Sequence, residues 1–121
     1  MNNAVVIVTY NRLELLKECL ACVCGQTIPF SRVIVVDNHS TDGTAEYLAS
    51  RSDVEVIREG ENLGGAGGFY DGLHRASQSP YDWVLIIDDD AMIAPDYMEK
   101  LLDYANAHTG IYGLAGKVVT E

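Results

Sequence analysis

The sequence predicts an α/β fold, a mostly parallel sheet with helices on both faces. Three observations lead there. The apolar runs 4–8, 33–36 and 84–87 lack polar alternation, as parallel strands buried on both faces do. The segments between them place apolar residues at helical spacing. Polar residues gather just after the runs, beyond the carboxyl ends of the strands, where open α/β sheets bind ligands.

The chain has 121 residues, 48% hydrophobic and 21% charged, which fits one domain with one core. Its formal net charge of −10 makes nucleic acid and anionic membrane poor partners, so a phosphorylated ligand would need a metal, backbone N–H groups or a positioned arginine. Met1-Asn2-Asn3 lacks a basic n-region, and Ala4–Val8 is too short for a signal sequence or a membrane span. A cytoplasmic location is expected. Cys19, Cys22 and Cys24 read as reduced structural thiols on a helix, with Cys19 and Cys22 spaced to share a face.

Ala4–Val8 is the first expected strand. Asn11 is the expected N-cap of the following helix, with Glu14 three residues on and Leu13, Leu16, Cys19, Leu20 and Val23 as its apolar side. Gly25 ends that helix and Pro29 prevents its resumption. Val33–Val36 forms a second strand ending at Asp37, and residues 38–43 are turn and cap chemistry before a short helix through Ala45, Tyr47 and Leu48. Val54–Ile57 alternates, as a strand near the sheet edge does. Asn62 to Phe69 reads as a glycine-rich loop that exposes backbone N–H groups and leads into a helix carrying Tyr70, Leu73 and Ala76. It matches neither a dinucleotide fingerprint nor a Walker A loop, and close packing against the sheet explains it equally well. After residues 82–90, Pro95 suits the first turn of a helix with Met98, Leu101, Leu102 and Ala105. Gly110 closes it, and 114–119 reads as a further strand.

The strongest chemical signal is Asp88-Asp89-Asp90 at the tip of the apolar run. Adjacent anions repel and gain nothing from packing, whereas a divalent cation with oxygen ligands, Mg²⁺ or Mn²⁺ held with a ligand's phosphates, would relieve them. Extended geometry puts Asp88 and Asp90 on one side and Asp89 on the other. A solvated acidic turn is the plainer alternative.

Taken together, Val8-Thr9-Tyr10-Asn11-Arg12, the stretch from Val35 to Thr44, the stretch from Asn62 to Phe69, and Asp88-Asp89-Asp90 resemble the family 2 glycosyltransferases of Rossmann-like GT-A fold. The glycine stretch followed by three aspartates is most similar to the galactofuranosyltransferase and rhamnosyltransferase branches. The resemblance covers essentially the whole chain, yet only the donor-binding, N-terminal portion of such an enzyme. It implies that Thr9 and Arg12 border the nucleotide, that Gly64, Gly65 and Asp89 belong to the donor site, and that Asp88 and Asp90 hold the Mn²⁺ or Mg²⁺ bridging the diphosphate. It also implies that Asp37 accepts a hydrogen bond from the pyrimidine. A carboxylate accepts but cannot donate, so it suits the ring N–H of uracil or thymine and disfavours cytosine. The expected ligands are a UDP- or dTDP-sugar donor and a glycan or lipid-linked acceptor, with inversion at the sugar.

The family's general base is not found at a matching position. Asp96 and Glu99 are explained as favourable first-turn charges, and His39, His74 and His108 as surface residues rather than a third metal ligand. The fragment is therefore expected to bind donor without transferring it. A haloacid-dehalogenase-type phosphatase, with Asp88 as nucleophile and Asp90 as acid, would carry its motif on the first strand and a small β-branched residue at the position of Met92. A receiver-like module using Lys117 would likewise need its acids on the first strand, which carries Thr9 and Asn11.

Overall fold

The computed structural model describes residues 2–108. Strands and helices alternate strictly: β1 (Asn3–Thr9), α1 (Leu13–Cys24), β2 (Arg32–Asp37), α2 (Thr44–Ala49), β3 (Glu55–Arg58), α3 (Gly64–Ser77), β4 (Trp83–Asp88) and α4 (Tyr97–Ala107). The expected strand at 114–119, Gly110 and Lys117 lie outside the described residues. Among the described residues, no helix is long and apolar enough to cross a membrane.

The sheet is parallel throughout, in the order β3-β2-β1-β4. Its wholly buried centre is β1, where every residue is buried, as an unbroken apolar run between two neighbours should be. The chain steps from β1 outward to β2 and β3, then returns to the other side of β1. The strand order therefore reverses between β1 and β4, and a crevice opens at the carboxyl ends there.

Period-two alternation divides the core between the two faces. Val5, Ile7, Val33 and Val35 pack with Leu16, Cys19, Leu20 and Val23 of α1 and Leu48 of α2. Val6, Val8, Ile34 and Val36 pack with Ala76 of α3 on the opposite face. The glycines of α3 make that second contact possible. A Cβ on Gly68 would lie 2.7 Å from Val8 Cγ1, and one on Gly72 would run into Val6, so the helix backbone approaches β1 more closely than any side chain permits.

Three expectations are corrected. The glycine stretch is not a loop: α3 already begins at Gly64, because burial against β1 outweighs the poor helix propensity of glycine. Asn11 does not cap α1. It adopts the left-handed conformation at φ 49°, Arg12 takes the cap position without a side-chain cap bond, and the Leu13 N–H donates instead to Asp42 Oδ2 at 3.2 Å. The acidic run 82–90 was expected to contain a strand buried on both faces, but β4 has β1 as its sole partner among the described residues and leaves Ile86 exposed. The alternating β3 does lie at the sheet edge, shifted by one residue to Glu55–Arg58.

Candidate functional site

Parallel register brings the strand tips into line: Thr9 pairs with Asp37, Asp37 with Arg58, and Val8 with Asp88. At this end lies a cavity of about 390 Å³, walled by Thr9, Arg12 and Asn38, by Asn62, Gly64 and Gly65 at the start of α3, and by Asp88, Asp89 and Asp90. The residues proposed from four separate stretches of sequence thus share one wall, with one exception: Asp37 does not line it.

The three aspartates differ in role. Asp89 is 4% exposed and its Oδ2 accepts from Thr9 Oγ1 at 2.9 Å. Arg12 Nη1 donates to Asp89 Oδ1 at 3.4 Å and to Asp90 Oδ2 at 3.3 Å. Burial pushes the Asp89 carboxyl above its ordinary range, against the Thr9 hydrogen bond and the Arg12 charge that pull it down. Asp88 and Asp90 face solvent. The expected division of Asp89 from its neighbours therefore holds in exposure, but it arises from a turn closed by the Ala91 N–H donating to Asp88 O at 3.1 Å, since β4 ends at Asp88.

The donor set fits a hard cation only in part. Asp88 and Asp90 supply oxygen ligands, yet among the described residues no three His, Cys, Asp or Glu side chains converge as a metal cage. Mg²⁺ and Mn²⁺ are commonly held this way, by one or two carboxylates with the remaining positions left to water and substrate phosphates. His39, His74 and His108 are all exposed, as expected of surface residues.

Asp37 has no exposed surface. Its Oδ1 accepts the Ser40 N–H at 2.9 Å and its Oδ2 the Arg58 Nη1 at 2.7 Å, while Arg58 Nη2 reaches Ser40 O at 3.2 Å. Both carboxylate oxygens are thus engaged within the protein.

Asn38 was missed by the sequence reading. It is 2% exposed, donates from Nδ2 to Gly64 O at 2.9 Å and accepts from the Leu63 N–H at 3.4 Å, pinning the start of α3 to the tip of β2. Turn chemistry explained Asn38 well enough from sequence to conceal a partner 26 residues away. At the same helix start, the Gly64 N–H donates to Asn62 Oδ1 at 2.8 Å. Gly65 is next in the first turn, where N–H groups lack intrahelical acceptors, and a Cβ there would meet nothing within 4 Å. Packing accounts for Gly68 and Gly72 but not for Gly65.

Beneath the acidic tip, Cys19 Sγ lies 3.7 Å from Asp88 O, and burial first, then the nearby Cys22, Asp89 and Asp90, pushes its thiol up to about 12. Cys22 is half-buried. Cys24, expected among the structural thiols, is exposed beside Arg51 and Asp53.

The sequence model described as "Glycosyl transferase family 2" matches residues 4–118. Galactofuranosyltransferase GlfT1 of Mycolicibacterium smegmatis is 34% identical over 106 residues, covering 86% of this chain and 35% of that protein. Among solved structures, S. aureus TarS 1-349 in complex with UDP aligns with TM-score 0.78 and 25% identity over 100% of this chain and 38% of that one. The mannosyltransferase PcManGT of Pyrobaculum calidifontis, in complex with GDP-Man and Mn²⁺, aligns with TM-score 0.71 and 28% identity over 85% of this chain and 32% of that one. The chain thus spans about a third of the length of each of these chains.

Proposed function

Because the chain belongs to glycosyl transferase family 2, we propose that it is the donor-binding portion of a glycosyltransferase and takes a UDP- or dTDP-sugar, for transfer with inversion to a glycan or lipid-linked acceptor. The observation that carries this reading is the cavity at the strand-order reversal, where the acidic tip of β4 faces Arg12 and the first turn of α3. The UDP bound in TarS supports a uridine donor, and the GDP-Man with Mn²⁺ in PcManGT supports a nucleotide-sugar site that uses a divalent cation.

Asp88 and Asp90 would hold Mn²⁺ or Mg²⁺, whose contribution is to neutralise the charge that builds on the departing nucleoside diphosphate. This chain's own residues do the rest. The Gly65 N–H, at the positive end of a helix, faces the anionic diphosphate with no side chain to hold it off. Among the described residues, Arg12 supplies the one guanidinium on the cavity wall. Thr9 fixes Asp89, and through it the turn on which Asp90 stands. Asp37 has no exposed surface, so a pyrimidine would bond it directly only where Arg58 gives up its 2.7 Å contact.

Asp96 and Glu99 are already occupied, Asp96 with Lys100 at 3.1 Å and Glu99 with Thr27 at 3.2 Å, so neither is offered as the acceptor's base. The purified chain is expected to bind donor and not to transfer it. Calorimetry tests the reading: UDP should bind with Mn²⁺ present, fail to bind in excess chelator, and fail in Asp90→Ala. Equal UDP binding in chelator removes the metal from the account, and sugar transfer above a heat-killed control shows that a base has been overlooked.

A further inference from the structure

Arg12 holds the acidic tip in an unusual way for an arginine. A single nitrogen, Nη1, is shared between Asp89 at 3.4 Å and Asp90 at 3.3 Å. Among the described residues, neither its Nε nor its Nη2 has an acceptor. Its side chain is 52% exposed. By contrast, Arg58 approaches Asp37 at 2.7 Å and also reaches Ser40 O. Strong arginine–carboxylate pairs are short and forked, and Arg12 makes neither kind of contact.

The two aspartates depend on Arg12 unequally. Asp89 keeps its Thr9 hydrogen bond if Arg12 leaves. Asp90 has Arg12 as its ion-pair partner and no other among the described residues. It is also one of the two carboxylates assigned to the cation, so the guanidinium and a divalent cation call on the same carboxylate.

We propose that Arg12 is the internal counterion of the acidic tip and couples cation entry to nucleoside diphosphate entry. The proposal rests on the donor-binding reading above. While the cavity is empty, the guanidinium neutralises Asp90 and disfavours a second positive charge beside it. When a diphosphate arrives with the cation, its negative charge gives Arg12 a new partner, and Asp90 is released to the cation. Two like charges then share the site because an anion lies between them. Since coupling is reciprocal, Arg12 raises the affinity of each ligand in the presence of the other and lowers that of the cation alone.

This predicts effects of opposite sign from one substitution. Arg12→Gln keeps length and polarity and removes the charge. Mn²⁺ alone, followed by electron paramagnetic resonance of the free ion, should bind roughly threefold to fivefold more tightly to the variant, the scale of one exposed ion pair. UDP at saturating Mn²⁺, followed by calorimetry, should bind roughly tenfold or more weakly, the scale of one charge-assisted hydrogen bond. Arg12→Lys keeps the charge and should leave the Mn²⁺-only affinity near wild type. A matching thermal melt shows that each variant is folded. If Mn²⁺ alone binds Arg12→Gln no more tightly than wild type, while wild-type UDP binding still requires Mn²⁺, the coupling role is overturned and the donor-binding reading stands. If wild-type UDP binding needs no metal, the metal part of that reading fails and takes this proposal with it.

Discussion

Arg58 closes over Asp37 at 2.7 Å, pairing a half-exposed guanidinium with a carboxylate that has no exposed surface. The two are register partners across β2 and β3, so the edge strand supplies the charge that a buried acid on its neighbour requires. Arg58→Ala should destabilise the fold by about 2–3 kcal/mol, below the ~3–5 kcal/mol for breaking a fully buried pair, because Arg58 is partly screened by solvent. Chemical denaturation checks this. A loss under about 0.5 kcal/mol would mean that the Ser40 N–H alone suffices for Asp37.

The same pair tests base recognition. If a pyrimidine N–H bonds Asp37, wild type should prefer UDP over CDP by roughly ten- to hundredfold, the scale of one charge-assisted hydrogen bond. Asp37→Asn should narrow that preference and leave metal dependence intact. An unchanged ranking in a competition titration would confine Asp37 to holding the turn through Ser40.

The glycines of α3 separate packing from binding. Gly68→Ala should cost about 1–3 kcal/mol, because its Cβ would stand 2.7 Å from Val8 Cγ1 and the helix must move off β1. Gly65→Ala meets open space inside a helix, so it should leave stability unchanged or raise it by up to about 1 kcal/mol. Its nucleotide affinity should nevertheless fall, since a methyl group would stand where the diphosphate approaches. Unimpaired UDP binding by this variant would remove the first turn of α3 from the donor site.

These glycines also show what the sequence could and could not tell. Apolar runs fixed the order of strands and helices because burial on both faces leaves no room for polar residues, and β1 carries that pattern from end to end. The Asn62–Phe69 stretch was misread as a loop because helix propensity is local, whereas the contact that makes it helical lies on β1. Asn11 was misread as a cap for the same reason: the real acceptor of the Leu13 N–H, Asp42, is 29 residues beyond Leu13. Position at the strand tips was legible for Thr9, Arg12 and the three aspartates. The burial of Asp37 was not, because it depends on a register partner contributed by β3.

Asn38→Ala should loosen the start of α3 without opening the sheet. It removes the bonds to Gly64 O and the Leu63 N–H, and each net loss is worth about 0.5–1.5 kcal/mol. Amide exchange should accelerate at residues 63–66 and remain slow in β1. UDP affinity should fall together with that protection, and uniform acceleration across the sheet would instead mark Asn38 as a general stability residue.

Asp42 makes one end of the fold sensitive to acid. Its Oδ1 accepts from the Thr44 hydroxyl at 2.6 Å and its Oδ2 from the Leu13 N–H, and the Thr44 side-chain bond is the main reason its pKa lies below the usual aspartate value. A depressed folded-state pKa contributes stability that is complete above the unfolded value of about 3.9 and is lost as pH falls through the folded one. Thermal melts should therefore show wild type losing an increment below about pH 4 that Asp42→Asn never had. Asp42→Ala should cost about 1 kcal/mol near neutrality, the usual worth of a cap. Parallel melting curves for wild type and Asp42→Asn down to strong acid would refute the linkage.

Cys19 gives the molecule a native clock. Its thiol has no exposed surface and lies beneath the carbonyl of Asp88, while Cys24 stands in the open. An alkylating reagent should therefore modify exposed Cys24 first and half-buried Cys22 next, and reach Cys19 only when α1 parts from the sheet. The half-time of that last modification reports how often α1 lifts from the sheet beneath the acidic tip, with no reporter engineered in. A ligand that draws the tips of β1 and β4 together should lengthen it in proportion to occupancy, so binding can be followed by mass spectrometry even for a donor whose sugar is unknown.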